Sequence, residues 1–309
     1  MPTSASSQRW GELLDGVVAL LPAGTGSVLV DGTADAAADF TARLAAATPI
    51  TVAPVKAAPG EAAPGDVVIR LRTGRSDHPH SGRPDIVIDL HDPDWPVMRR
   101  VAARLTDGPA GGAWYRTETR AFFAYRAASW DTKFGDDLPA YTAAIGEAAL
   151  PRGGVVLDIG CGSGRALPPL RQAVGPGGAV IALDLTPEML AAARPRSVSA
   201  RAALVHADAR TLPLADASAD AIFAAGLVHH LPDPEAGLRE LARVTRPGGR
   251  LVLFHPTGRA ALAARHGRGL APDEPLAEGT LRRSTAASGW RLTAYDDAAH
   301  RFFALAERG

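Results

Sequence analysis

From residue 150 onward, apolar and polar positions follow two alternating periods. Short apolar runs at 155–159, 179–185, 202–209, 219–225 and 250–256 read as strands buried on both faces. Between them stand helix-start signals. Thr186 suits an N-cap, Pro187 the first helical position and Glu188 the positive end of the dipole, and Asp233 and Pro234 repeat the arrangement. The helix after Asp233 runs to about Thr245, where Arg246, Pro247, Gly248 and Gly249 stop it. Two last runs, WRLTAYDD and HRFFALAE, pair as an antiparallel hairpin. Strand alternating with helix predicts an α/β unit built on a mostly parallel sheet.

Before residue 110 the pattern is separate. Strands are expected at 27–31, 67–71 and 86–90, with helices at 34–46 and 96–105, which together make a smaller α/β domain. The Pro, Ala and Gly-rich stretch 53–65 and the charged stretch 72–84 read as loops. TDGPAGGA at 106–113 disfavours both periodic structures and marks a boundary. Beyond it, 114–134 carries aromatics at helical intervals, and 136–150 continues as a helix into the first strand. The predicted organisation is therefore 1–110, a cap and linker over 111–150, and 151–309.

Composition narrows the partners. With 46% hydrophobic and 21% charged residues this is an ordinary globular chain, and a formal net charge of zero argues against a nucleic-acid surface. Cys161 is the sole cysteine, so neither an intrachain disulfide nor a clustered-thiolate zinc site is available. His78, His80 and His91 lack a fixed ligand spacing, and no metal is expected. No apolar run reaches the ~18 residues of a membrane span and the N-terminus lacks a secretory pattern, so no membrane partner and a cytoplasmic address are expected.

The chemistry concentrates in VVLDIGCGSG at 155–164. A P-loop needs GxxxxGK, but the only lysines, Lys56 and Lys133, follow Val55 and Thr132. A dinucleotide fingerprint would need a third glycine where Arg165 or Leu167 stands. What remains is DxGxGxG, with Asp158, Gly160, Gly162 and Gly164. Asp184 ends the next strand about twenty residues on, the position from which an acid accepts hydrogen bonds from ribose hydroxyls.

The glycine pattern resembles motif I of class I S-adenosylmethionine-dependent methyltransferases, and the likeness extends over 150–309. HHLPDPEAGLRELARVTRPGGRLVL looks like the branch containing ubiquinone and menaquinone biosynthesis enzymes. The resemblance implies a Rossmann-like seven-stranded sheet and S-adenosyl-L-methionine as cofactor. It places Asp208 at the adenine amino group and the Ala209 amide at a ring nitrogen, with Cys161, Leu185 and Ala225 completing the cofactor contacts. It also implies that the segment before the first strand covers the site. Tyr115, Arg126, Trp130 and Asp131 have polar tips suited to reach a cleft, whereas Phe122 and Phe123 read as core.

The fourth and fifth strands end in His229, His230 and His255, where an acceptor substrate should lie. His229 or His230 is a candidate general base, since imidazole titrates near neutrality, and His255 a substrate contact. The competing reading is that the His-His-Leu turn caps the strand and shapes the pocket. The expected reaction is methyl transfer to an oxygen, nitrogen or carbon of a small molecule. A nonmethylating cyclase or lyase, or a noncatalytic cofactor-binding regulator, would use the same fold. DGTADAAADF and PDIVIDLHDPDWPVMRRV faintly resemble a uridine-kinase-like P-loop domain without its lysine and hydroxyl. The first domain is then a scaffold, a substrate-shaping domain or an oligomerisation surface, and a homodimer stays open.

Overall fold

The structure, a computed structural model, describes residues 3–55, 63–73, 83–106, 112–134, 136–265 and 269–309. The chain divides into two compact units, one running up to Ala121 and the other from Phe122 onward.

The first unit opens with α1 (Ser4–Leu20), which the sequence reading missed. Thr3 caps it by accepting the Ser6 amide at 3.2 Å, and Trp10, Leu13, Val17 and Leu20 form its buried stripe. β1 (Ser27–Asp31), α2 (Ala34–Ala47), β2 (Thr51–Pro54), β3 (Val67–Arg72), β4 (Ile86–Asp89) and β5 (Val97–Val101) follow. The sheet order is β2-β1-β3-β4-β5, parallel except for β5.

Two expectations fail here. Residues 53–54 belong to β2 rather than to a loop, and the predicted helix at 96–105 is instead β5 followed by a 3-10 turn at Ala103–Leu105. β5 pairs antiparallel with β4, burying Val97, Met98 and Val101. The Met98 amide is taken by Glu118 Oε2 at 2.7 Å, and Pro96 O accepts Arg9 Nε at 2.8 Å. This tertiary pairing overrides a helix-like spacing in a segment flanked by β-branched valines. Most of the 53–65 and 72–84 stretches, most of the 106–113 boundary, and His78 and His80 lie outside the described residues.

α3 (Trp114–Ala127) spans the division between units. The second unit continues with α4 (Trp130–Phe134), α5 (Leu138–Glu147), β6 (Val155–Ile159), α6 (Leu167–Val174), β7 (Ala179–Asp184), α7 (Pro187–Ala200), β8 (Ala203–His206) and β9 (Ala219–Ala225). It closes with α8 (Pro234–Val244), β10 (Thr245–His255), α9 (Arg259–Arg265), α10 (Glu278–Ala287), β11 (Trp290–Ala298) and β12 (Arg301–Arg308). Its seven strands lie in the order β11-β12-β10-β9-β6-β7-β8, parallel except for β12, which runs antiparallel to both of its neighbours, β10 and β11. This is the expected Rossmann-like sheet.

Both faces are buried, which explains the continuous apolar runs. Leu157, Ile159, Ile222 and Leu253 pack with α8 and α10, through Leu238, Leu241 and Leu281. On the other face Val156, Val180, Phe223 and Phe254 pack with α5 and α6, through Ile145, Leu167 and Leu170. From β6 the chain winds to β7 and β8 on one side, while β9 and β10 lie on the other. The strand order therefore switches between β6 and β9, and the crevice beyond their carboxyl ends is where such folds bind ligands.

Candidate functional site

The three loop glycines sit at the end of β6 with φ of +71° at Gly160, +53° at Gly162 and +79° at Gly164. Two of them have distinct reasons to be glycine. A Cβ on Gly164 would stand 2.9 Å from Leu167 Cδ1 and 3.1 Å from Ala193 Cβ, so its absence lets α6 and α7 pack under the loop. At Gly162 no described atom beyond the glycine and its two chain neighbours lies within 4 Å of that position. The backbone there is open to a ligand, and a side chain would fill the opening.

The loop is held from β7. Leu183 O accepts the amides of Gly160 and Cys161 at 2.8 and 3.1 Å, and Asp184 Oδ2 accepts Gly162 N at 2.8 Å while its Oδ1 accepts Thr186 N at 2.8 Å. Asp184 thus braces the loop, and these two bonds leave further lone-pair sites on its carboxylate. Thr186 stands at the N-cap of α7 without a side-chain cap bond, whereas Asp233 caps α8 by accepting Ala236 N at 2.9 Å.

Asp158 is fully buried, and its Oδ2 has no hydrogen-bond partner. Burial, and next the charge of Asp184, push its pKa up to about 8. Asp184 is also raised, by burial first, against the lowering effect of the amides it accepts. Cys161 is buried, and burial together with Asp158 and Asp184 pushes its thiol well up, so it stays protonated and packs.

Leu185, half-buried, turns its carbonyl to His206 Nε2 at 2.9 Å. Asp208 is gripped by Arg210, whose Nε and Nη2 lie 3.0 and 2.7 Å from its two oxygens, and Ala209 between them is half-buried. The Arg210 pairing was not foreseen, although an arginine two residues from an acid is a legible signal for it. Ala225 ends β9 opposite Phe254.

The histidines gather at the ends of β9 and β10. A Cβ on Gly226 would lie 3.8 Å from His229 Cε1 and 3.9 Å from His255 Cδ2, so both rings flank that glycine. His229 is exposed, with its ring centroid 4.1 Å from that of His230. His230 stands edge-on to Phe123 at 5.2 Å and tilted to Phe122 at 6.4 Å, and Phe123 packs on Trp130 at 5.6 Å. Phe122 and Phe123 are therefore half-buried members of this ring cluster rather than core. His255 Nδ1 lies 2.8 Å from Thr257 O and 3.0 Å from Thr257 N, which fixes its ring. Leu227, just before the histidine turn, faces Gly160, with its Cδ1 3.2 Å from a Cβ placed there. The glycine loop and the histidine turn are thus neighbours.

Arg126 lies along its own helix, with Nη1 2.9 Å from Phe122 O and Cζ 4.0 Å over the Phe122 ring. Tyr115 is buried in the first unit beside Trp114. Asp131 reaches Ser163, Arg165 and Arg196. Among the described residues no group of three or more His, Cys, Asp or Glu side chains is placed to hold a metal, and no helix is long and apolar enough to cross a membrane.

Residues 157–253 match the family described as Methyltransferase domain. The chain is 38% identical over 112 residues to the 27-O-demethylrifamycin SV methyltransferase of Amycolatopsis mediterranei, covering 35% of this chain and 40% of that one. It is 39% identical over 111 residues to the demethylmenaquinone methyltransferase of Roseiflexus castenholzii, covering 36% and 46%. The chain spans between a third and a half of the length of the curated relatives it matches. Among solved structures, a SAM dependent methyltransferase from Aquifex aeolicus superposes with a TM-score of 0.51 at 25% identity, over 60% of this chain and 98% of that one. Residues 157–253 are therefore a methyltransferase domain, and the unit that holds them belongs to the class I S-adenosylmethionine-dependent methyltransferases.

Proposed function

We propose that the chain binds S-adenosyl-L-methionine at the Gly160–Gly164 loop and methylates an oxygen, nitrogen or carbon of a small molecule in specialised or quinone-like metabolism. The observation that carries this reading is the open backbone at Gly162, tied to the acid Asp184 at the strand-order switch. The residues fit the group in kind. A cationic amino-acid sulfonium would draw off the proton that burial keeps on Asp158, and would then complement its unpartnered Oδ2 and the remaining acceptor sites of Asp184, while a pyrophosphate would face both acids. Asp208 and the Ala209 amide would meet the adenine edge.

When bound, the cofactor supplies an electrophilic methyl group on a sulfonium. The chain's own contribution is alignment, which in favourable cases supplies about 7 to 11 kcal/mol. His229, exposed and flanking Gly226 together with His255, would take a proton from an attacking hydroxyl or amine, and His230, packed by Phe122 and Phe123, would shape the acceptor side. The ring cluster and the relatives' demethylmenaquinone and demethylrifamycin substrates favour a planar, aromatic acceptor. The test is incubation with S-adenosylmethionine and a panel of reduced naphthoquinones and phenols. Acceptor-dependent release of S-adenosylhomocysteine supports the reading, and release of methylthioadenosine instead would replace methyl transfer with a nonmethylating reaction.

A further inference from the structure

Asp131 on α4 makes a set of contacts that neither an acid on a solvated helix nor a substrate-facing tip would make. Its Oδ1 accepts Ser163 Oγ at 2.6 Å and Arg165 Nε at 3.1 Å, its Oδ2 accepts Arg196 Nη1 at 2.6 Å, and its backbone oxygen accepts Arg165 Nη2 at 3.2 Å. Arg196 Nη1 also reaches Ser163 O at 3.0 Å, and Arg165 pairs with Asp137. Ser163 and Arg165 flank Gly164, and both are buried, so this one carboxylate grips the cofactor loop on either side of a left-handed residue. An exposed ion pair contributes little, but here the guanidinium and hydroxyl are enclosed, and removing their acceptor leaves them underpaired. Burial raises the Asp131 pKa, yet the hydrogen bonds from Ser163, Arg196 and Arg165 outweigh it and hold it below the usual carboxylate value, so the grip stays charged at neutral pH.

The next residue faces a different site. Trp130 packs on Phe123, which stands against His230. Adjacent residues of one five-residue helix thus touch the glycine loop and the ring cluster. We propose that Asp131 is a positioning residue that holds the glycine loop in its binding conformation and, with Trp130, makes α4 the element that relays the state of that loop to the acceptor-side rings. The inference rests on the proposed cofactor site and adds to it a route between cofactor and acceptor.

The experiment uses the full chain and three variants, Asp131→Asn, Asp131→Glu and Ser163→Ala, with S-adenosylhomocysteine as the probe. In Asp131→Asn the Kd measured by calorimetry should rise about tenfold, the loss of one charge-assisted hydrogen bond, with partial recovery in Asp131→Glu. Amide exchange of Gly162–Arg165 in the unliganded variant should accelerate while that of β6 stays unchanged. Addition of S-adenosylhomocysteine should shift the His230 ring signals in the unaltered chain and shift them less in Asp131→Asn. Ser163→Ala keeps the arginine pairs and gives a milder form of the same three changes should Asp131→Asn fold poorly. Unchanged affinity, loop exchange and His230 response would overturn the proposal. If the unaltered chain binds no S-adenosylhomocysteine, the cofactor reading falls instead, and the loop exchange of the unliganded variants still decides the grip.

Discussion

The carboxylate of Asp184 accepts the amide of Gly162 at 2.8 Å, joining the end of β7 to the one loop glycine that faces open space. A single acid therefore fixes the loop, and on the proposed reading it also receives the ribose. Asp184→Ala should remove both functions. With Gly162 N and Thr186 N left without their acceptor, stability should fall by about 1 to 3 kcal/mol, and affinity for S-adenosylhomocysteine should fall further, by at least tenfold. Denaturant titration and calorimetry on the same preparation separate the two effects. A variant that loses stability but keeps affinity would confine Asp184 to a bracing role.

The loop glycines should respond to alanine in opposite ways. Gly164→Ala combines a positive φ with contacts of 2.9 and 3.1 Å to Leu167 and Ala193, so its main effect is lost stability, about 1 to 3 kcal/mol. Gly162→Ala has room for the methyl group and incurs only the strain of its φ, about 1 kcal/mol, but it fills the opening proposed for the cofactor. Thermal melts and binding isotherms of the pair should rank them in reverse order. The same ranking in both measurements would contradict the assignment of the opening.

Asp158 makes stability depend on pH. The unfolded carboxyl releases its proton near 3.8 and the folded one near 8, so between these values the folded chain holds a proton that the unfolded chain has lost. Stability should therefore fall as pH rises through that window, and Asp184, also raised, adds to the same slope. Asp158→Asn should flatten the fall, seen in denaturation midpoints from pH 4.5 to 8.5, a window of about four units set by the two values. An identical slope in the variant would place the titration elsewhere.

For catalysis, His229→Ala should lower kcat by about 10² to 10⁴ if the acceptor must lose a proton. His230→Ala should act mainly on the KM of the acceptor, because its ring is packed against Phe122 and Phe123. Undiminished turnover in His229→Ala at every pH would leave alignment alone as the source of rate.

The second unit was legible because its strands are buried on both faces, so that 155–159, 179–185 and 219–225 carry uninterrupted apolar runs. The first unit was read less well for equally physical reasons. β5 is an edge strand whose Val97, Met98 and Val101 spacing also fits a helix, and only its pairing with β4 decides. α1 did carry a signal, with Trp10, Leu13, Val17 and Leu20 at helical spacing behind the Thr3 cap. The chemistry of Asp158, Gly160, Gly162, Gly164 and Asp184 follows from local spacing. The grip of Asp131 does not, since its partners Ser163 and Arg196 lie 32 and 65 residues away. The bond from Asp184 to Gly162 likewise spans 22 residues, and only the register of β6 against β7 brings it about.

Calorimetric titration of the unaltered full chain with S-adenosylhomocysteine, and in parallel with NAD, tests the central claim most directly. One-to-one binding of S-adenosylhomocysteine that Gly162→Ala abolishes, with no heat from NAD, is the predicted result. Absence of S-adenosylhomocysteine binding, or saturable binding of the dinucleotide in its place, would contradict it.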